Sequence, residues 1–371
     1  MQLDLEQIRS EIDEADRALA KVLETRINLV MQVAEYKKSK GLPVKDVVRE
    51  AKVINKVVGY LENPGYTPAM RKIMRSVIDA ACELEEAELK NCDEVIPRIG
   101  CFGPEGSFTH QALEEYFLGK EHERAHYNSF EEVVNDVSAG KLNYGVLPIE
   151  NSSTGGITEV YDLLRQYDCS IVGEQCVKIE QNLLGCKEAD LQSIKRVYSH
   201  PQGFKQSKEF FKDHPQVEQL PYFSTSKSAE AVAKRQDISL GAVASKKAAE
   251  LYGLKIIVPN INYNSQNYTR FVVIAKNAEI ILDADKITLI VAVKHEAGSL
   301  YKMLASFYHT GLNMLNIESR PIIGKSWEYF FYIDVTGNIN DPLVKDLLED
   351  MHSKCSYCKL LGNYRAFVSR K

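Results

Sequence analysis

Tryptophan occurs once and cysteine eight times in 371 residues, and no run of about 18 apolar residues is present. The last absence leaves no segment able to span a bilayer as a helix, so no membrane partner is expected. Cysteine this sparse excludes a disulfide scaffold, and Cys82, Cys92, Cys101, Cys169, Cys176 and Cys186 stand alone, as small buried hydrophobes do. Cys355 and Cys358 form a C-x-x-C, which by spacing is a redox pair or half a zinc site. No second pair and no His at ligand spacing joins them, so no metal is expected. An excess of positive charge is also missing: 46 Lys plus Arg face 51 Asp plus Glu, a net charge of -5, opposite to the footprint of a nucleic-acid binder. The opening residues MQLDLEQIRSEIDE are charged and amphipathic without an apolar signal core, which makes the cytoplasm the expected location.

What is present has the composition of a multidomain globular chain, 44% hydrophobic and 26% charged, and long enough for two or three domains of about 150 residues. Its grammar changes twice. Over residues 1–92 helix formers follow helical periodicity, broken only at 41–43 and 63–68, which predicts an all-α domain of three helices. In the first, Leu5, Ile8, Ile12, Ala15, Leu19, Val22, Leu23, Val30 and Val33 step by threes and fours over about 35 residues, roughly 50 Å at 1.5 Å per residue. A helix that long needs a second chain or a long partner against it, so an intertwined dimer is expected. Residues 97–277 alternate short β-rich runs with helical ones, an α/β domain of two lobes around a cleft. Residues 285–371 read strand, helix, strand, strand, helix, strand, an α+β ferredoxin-like unit.

The first helix carries cations on its apolar stripe. Val22, Arg26, Val30, Val33 and Lys37 are spaced by four, four, three and four. A buried cation is unfavourable unless it snorkels to water, meets a carboxylate or meets an anionic ligand. Arg49, between Asp46 and Glu50 at the start of the next helix, adds to the same pattern. Arg9 precedes Arg26 by 17 residues, about 25 Å along the axis, so one small ligand reaches both only if an antiparallel second chain supplies one of them.

On these residues the N-terminal stretch resembles the all-helical chorismate mutase family, whose order Arg, Arg, Lys, then D-x-x-R-E is matched by Arg9, Arg26, Lys37, Asp46, Arg49 and Glu50. The resemblance implies that the arginines clamp the two carboxylates of chorismate, that the lysine faces its ether oxygen, and that the protein is a homodimer or a higher homo-oligomer. A pericyclic rearrangement needs no nucleophile and no cofactor. It needs a compact conformer and positive charge at the ether oxygen. With Met74, Val77, Ile78 and Ala81 of the third helix in the family's register, Ala81 joins the substrate-binding positions and Glu85 stands where a glutamine commonly donates to that oxygen. An ionised glutamate cannot donate, so either Glu85 is held protonated or the mutase weakens as pH rises. The alternative is that Glu85 is one charge of the solvated run 83–88.

Four motifs mark the α/β stretch. GPEGSFTH (103–110) joins a strand to a helix, and is either an anion-facing turn or a tight turn with a Ser N-cap. PIENSSTGGI (148–157) repeats the arrangement, SHPQGF (199–204) comes from the other half of the stretch, and NYTRF (267–271) opens a core strand. Together they resemble prephenate dehydratase over its catalytic length. The resemblance implies Thr269 as the essential hydroxyl, Asn151 and Gln202 beside it, and Ser107, Ser152, Ser153 and Arg270 as substrate-binding positions. Arg270 either holds a substrate carboxylate or buttresses its strand by an ion pair. His200 is either a general acid or a backbone cap before Pro201. Prephenate is the product of the mutase, so the two resemblances point to one enzyme of phenylalanine biosynthesis, with chorismate and prephenate as its substrates.

AGSLYKML (297–304) and ESRP (318–321) resemble the ACT regulatory domain, with Ser299 in place of a common alanine. This implies phenylalanine as effector at Gly298, Ser299, Leu300, Asn313, Glu318, Ser319, Arg320 and Pro321; a unit used only for dimerisation is the other reading. Two α/β lobes around a cleft also describe solute-binding proteins, which makes a non-catalytic amino-acid sensor the competing function. Glu85→Gln is expected to flatten the pH profile of chorismate turnover, measured as initial rate from neutral to alkaline pH. An unchanged profile would remove Glu85 from the site.

Overall fold

The structure, a computed structural model, describes residues 5–40, 47–90, 96–279 and 281–367; the side chains of 38–40, 47, 48, 50, 51, 83 and 85–90 also lie outside the description. The chain divides into two compact units, one up to Val95 and one from Ile96 onward.

The first unit is helical: α1 (Leu5–Lys40), α2 (Val47–Val58) and α3 (Thr67–Lys90). The break expected at 41–43 lies outside the described residues. At the second break the Asn63 side chain accepts the Gly65 amide, and Pro64 opens a short 3₁₀ turn that delivers the chain to α3. The buried core among the described residues is small, with Ala34 from α1, Ile54 from α2, and Ile78 and Ala81 from α3. Much of the apolar surface of α1 stays open. Leu5, Ile12, Leu19 and Val33 are exposed at seven-residue spacing, with Arg26 completing the row, and the exposed Val22, Leu29 and Tyr36 form a second row three residues on. Two rows offset by three and repeating every seven are a helix-packing seam. Full burial of each such side chain is worth about 1.5–3 kcal/mol, and one chain alone does not supply it.

The second unit contains three sheets. The first has the order β2 (Glu123–Tyr127), β1 (Arg98–Phe102), β3 (Tyr144–Asn151), β11 (Tyr268–Ala275), β5 (Ser170–Lys178), with the short β4 (Gly155–Gly156) on β3. The second has the order β10 (Lys255–Val258), β6 (Asn182–Gly185), β9 (Leu240–Ala244), β7 (Arg196–Ser199), β8 (Glu218–Pro221). Both are mixed: β1 runs parallel to β2 and β3 while β11 runs antiparallel to β3 and β5, and β7 runs parallel to β8 and β9 while β6 runs antiparallel to its neighbours. Helices α4 (Phe108–Tyr116), α5 (Phe130–Ser138) and α6 (Thr158–Gln166) serve the first sheet; α7 (Pro201–Gln206), α8 (Lys208–Asp213), α9 (Thr225–Arg235) and α10 (Lys246–Tyr252) serve the second. Ser207 leaves helical geometry between α7 and α8 and so separates them into two short helices.

The third sheet, β13 (Met314–Pro321), β14 (Tyr329–Thr336), β12 (Lys286–Ala292), β15 (Tyr357–Tyr364), is antiparallel throughout; α11 (Ser299–Thr310) and α12 (Pro342–Lys354) complete the expected βαββαβ order. One face packs on its own helices through Leu289, Met303, Ile333, Leu347 and Met351. The other face sends Ile290, Tyr332, Leu361 and Tyr364 into the core of the first sheet. Gly362 permits that approach, since a Cβ there would collide with the Ile171 carbonyl of β5. Cys355 and Cys358 flank this packing. Burial pushes the Cys355 thiol up to about 11 and raises Cys358 as well, which disfavours the thiolate form at both. No described helix is long and apolar enough to cross a membrane.

Candidate active sites

A cavity of about 1070 Å³ opens between the first and second sheets. Its walls come from strand ends and from the starts of four helices. Ser107 before α4, Ile157 before α6, His200 before α7 and Ser224 before α9 all line it. Helix starts expose amide donors and the positive end of the helix dipole, so the cavity is disposed toward anions. Phe102, Phe108, Phe223 and Phe271 supply apolar surface between these ends.

The most tightly organised group is centred on Asn151. Antiparallel pairing of β3 and β11 places Asn151 opposite Thr269. The Asn151 Nδ2 donates to Thr269 Oγ1 at 2.9 Å, to Asn267 Oδ1 at 2.8 Å and to the Tyr268 carbonyl at 3.1 Å. Its Oδ1 accepts the Ser153 and Thr154 amides at 3.0 and 3.1 Å and the Thr154 hydroxyl at 3.2 Å. Asn151 and Thr269 are both buried, and both line the cavity. Because Thr269 Oγ1 is already an acceptor from Asn151, its own O–H is left to donate toward the cavity.

Of the other sequence candidates, Ser107 and Gln202 line the cavity. Ser107 caps α4 by accepting the His110 amide at 3.2 Å. Ser152 and Ser153 are corrected. The Ser152 hydroxyl donates to the Gln266 carbonyl and accepts the Tyr268 amide, and that of Ser153 donates to Asn267 Oδ1 and accepts from Asn264. Both pin the loop 264–268 and neither lines the cavity. Arg270 is corrected as a substrate-binding residue: on an alternating strand it faces away from Thr269, and its guanidinium meets Glu150 at 2.9 Å, Glu174 at 3.3 Å and Asp334 at 2.8 Å. His200 caps α7 by accepting the Gln202 amide on Nδ1 at 3.1 Å.

Several cavity residues carry no signal in the motifs. Gln206 lies one helical turn past Gln202, and its Oε1 accepts from Gln181 Nε2 at 3.0 Å. Gln181, on the crossing between the first and second sheets, keeps a buried Oε1 without a protein partner. Thr225, Lys205 and Lys227 also line the cavity, as does Thr154 of the 148–157 motif, and Lys227 pairs with Glu230 at 2.8 Å. At the rim, ligand atoms of Glu105, His110 and His126 fall within 4.8 Å of one another. One ring nitrogen of each histidine is engaged: His126 Nδ1 bonds the Gly103 carbonyl at 2.9 Å, and His110 Nδ1 accepts the Gly106 amide at 3.2 Å. Burial holds His110 below its ordinary value against the pull of Glu114, 3.8 Å from its Nε2.

The effector candidates diverge. On β13, Glu318 and Arg320 share the face of Tyr332, where Arg320 pairs with Asp162 of α6 at 2.7 Å and the Glu318 carboxyl lies against Gly156. Ser319 and Pro321 are exposed on the opposite face. The four residues of this motif thus alternate between the two faces of the strand, by its two-residue period. Gly298 caps α11 at φ 81, a conformation suited to glycine, and is followed by Ser299 and the exposed Leu300; Asn313 is tied to Thr336 through its amide.

In the helical unit, Arg26 reaches from α1 to the Val77 carbonyl of α3 at 3.4 Å, one helical turn from the buried Ala81. Lys37 is half-buried, whereas Arg9 and Arg49 are exposed in the single chain. Asp46 and the side chains of Glu50 and Glu85 lie outside the described residues.

The sequence profile of the family described as chorismate mutase type II matches residues 8–86, and that of prephenate dehydratase matches residues 99–279. The bifunctional chorismate mutase/prephenate dehydratase of Aquifex aeolicus (strain VF5) is 32% identical over 369 residues, which covers 97% of this chain and 98% of its own. Among solved structures, the prephenate dehydratase of Arthrobacter aurescens in complex with L-Phe matches with a TM-score of 0.66 and 28% identity over 72% of this chain and 90% of that one. GqqA, titled a novel type of quorum quenching acylase, matches with a TM-score of 0.67 and 27% identity over 74% of this chain and 100% of that one. The last name attaches a different chemistry to a similar scaffold, so fold alone does not select the reaction. Identity along nearly the whole of both chains does, and this chain belongs to the bifunctional chorismate mutase/prephenate dehydratase family.

Proposed function

We propose that this bifunctional enzyme rearranges chorismate to prephenate at the Arg26 and Lys37 stripe of its helical unit and converts prephenate to phenylpyruvate in the cavity beside Thr269. The observation that carries the second step is the Asn151–Thr269 hydrogen bond, which uses the acceptor side of the hydroxyl and leaves its proton for the substrate. In that step the carboxylate leaves as carbon dioxide, its bonding pair completes the aromatic ring, and the ring hydroxyl departs. A neutral hydroxyl is a poor acid, so Thr269 stabilises the departing oxygen by hydrogen bonding. The carboxylates of prephenate are met by the helix starts at Ser107, Ile157 and Ser224 together with Lys205, since Arg270 is held elsewhere. Thr269→Ala is expected to lower prephenate turnover by on the order of 100-fold or more while leaving chorismate turnover intact. Retained dehydration in the purified variant would refute the assignment.

The domains of this reading are 1–92 for the mutase, 97–277 for the dehydratase and 285–371 for an ACT regulatory domain. The open seven-residue seam of α1 supports a homodimer in which two α1 helices pair antiparallel and Arg9 of one copy joins Arg26 and Lys37 of the other. The βαββαβ unit supports the regulatory reading, as does the L-Phe complex of the Arthrobacter aurescens relative. Phenylalanine is the proposed effector, held by amides near Gly298 and Ser299 with its ring near Leu300. Calorimetric titration of the full chain with phenylalanine is expected to show saturable binding that weakens prephenate turnover. No uptake of phenylalanine would remove this part of the account.

A further inference from the structure

We propose that Arg270 is a positioning residue for the dehydratase step, and that Asp334 and Lys286 of the C-terminal sheet set, through Arg270, the seat of Thr269 opposite Asn151. The inference rests on the reading of the cavity as the dehydratase site. Thr269 and Arg270 are consecutive on β11, and their partners Asn151 and Glu150 are consecutive on β3. Each side of the ladder thus carries one tie between the same two strands. On the cavity side the tie is Asn151 to Thr269 at 2.9 Å; on the far side it is Arg270 to Glu150 at 2.9 and 3.2 Å. The register of β3 against β11 shifts directly after Arg270, between Arg270 and Phe271. A bulge re-aims the side chains beside it and interrupts the ladder to β3, while the ladder to β5 runs unbroken from Tyr268 to Val273, so on the β3 side the side-chain ties help set where this segment sits.

Those ties reach the C-terminal sheet. Arg270 meets Asp334 of β14 at 2.8 Å, and Lys286 of β12 meets Glu174 of β5 at 2.7 Å and Asp334 at 3.6 Å. The side chains of Arg270, Lys286, Glu174 and Asp334 are all nearly enclosed, two cations against two carboxylates, so water cannot take the place of a lost partner. Thr288 donates to Asp334 Oδ1 at 2.7 Å and bonds the Tyr364 hydroxyl at 2.8 Å, which fixes the carboxylate within its own sheet. A second contact runs the same way: Glu318 lies against Gly156, in the strand that pairs with Glu150 and Asn151. A shift of the C-terminal sheet therefore moves Arg270 directly and Thr269 one residue away, which is a physical route from the regulatory sheet to the reacting oxygen.

The test measures kcat and KM for prephenate in the full-length chain, in Asp334→Asn, Glu150→Gln and Arg270→Lys, with thermal unfolding of each. Asp334→Asn and Glu150→Gln are expected to lower kcat by about 10-fold or more, because small misplacements of a reacting group have effects of that size, with KM within about twofold. Arg270→Lys, which keeps the charge and loses the fork, is expected to fall between these and the unsubstituted chain. If Asp334→Asn does not fold, Glu150→Gln, on the half-exposed side of the cluster, decides on the same readout. A folded variant with unchanged kcat, or a loss confined to KM, would overturn the proposal while the unsubstituted chain still turns over prephenate. An unsubstituted chain that leaves prephenate unconsumed would overturn the dehydratase reading and this inference together.

Discussion

The antiparallel pairing of β3 with β11 is the constraint on which the catalytic unit depends. It brings residues 118 positions apart in the chain into one hydrogen-bonded pair, Asn151 and Thr269. It also sorts the two faces of the ladder. Residues facing the cavity make a polar web with no full charge in it, and those facing the C-terminal sheet make a buried set of opposite charges. The separation follows from the two-residue period of a strand. Removing one member of such a buried ionic set typically costs about 3–5 kcal/mol, because its former partner stays in a medium of low dielectric. A displacement that separates these charges is therefore penalised more than it would be at a surface.

The same alternation keeps the Arg270 guanidinium out of the cavity. Arg270 is turned to the C-terminal sheet, and the cavity is lined instead by the first turns of helices, together with Lys205 and Lys227. Backbone amides at a helix start are fixed by the fold and need no side-chain ordering, which suits a reaction in which the substrate changes shape as it becomes aromatic. The helical unit differs. Its cations are side chains on a helix whose apolar rows stay exposed in the single chain.

Much of the architecture was legible in the sequence. Helical spacing from Leu5 onward gave a first helix near its observed length, and the break at Asn63 separates α2 from α3 as expected. Within the βαββαβ unit the first strand was readable as a long apolar run, 286–292. Strands of four or five residues were less visible: Glu123–Tyr127 is a polar edge strand, and Glu218–Pro221 ends on a proline, so neither shows the alternation that marks a strand. At the site, Asn151, Thr269 and Gln202 were carried by motifs, whereas Gln181 and Gln206 were not, because only the meeting of two distant segments makes them neighbours. The direction of Arg270 and of Ser152 was illegible for a related reason. A motif names residues in order, and the face each one takes depends on pairing partners far along the chain.

The central claim is that Thr269, held by Asn151, offers its proton to the oxygen that leaves the ring. It is tested most directly by a crystal structure of the full chain with a ring-saturated analogue of prephenate that keeps both carboxylates and the ring hydroxyl but cannot aromatise. The account predicts Thr269 Oγ within hydrogen-bond reach of that hydroxyl, about 2.5–3.0 Å, with the Asn151 bond preserved. An analogue bound in the cavity with its hydroxyl turned away from Thr269 would contradict it.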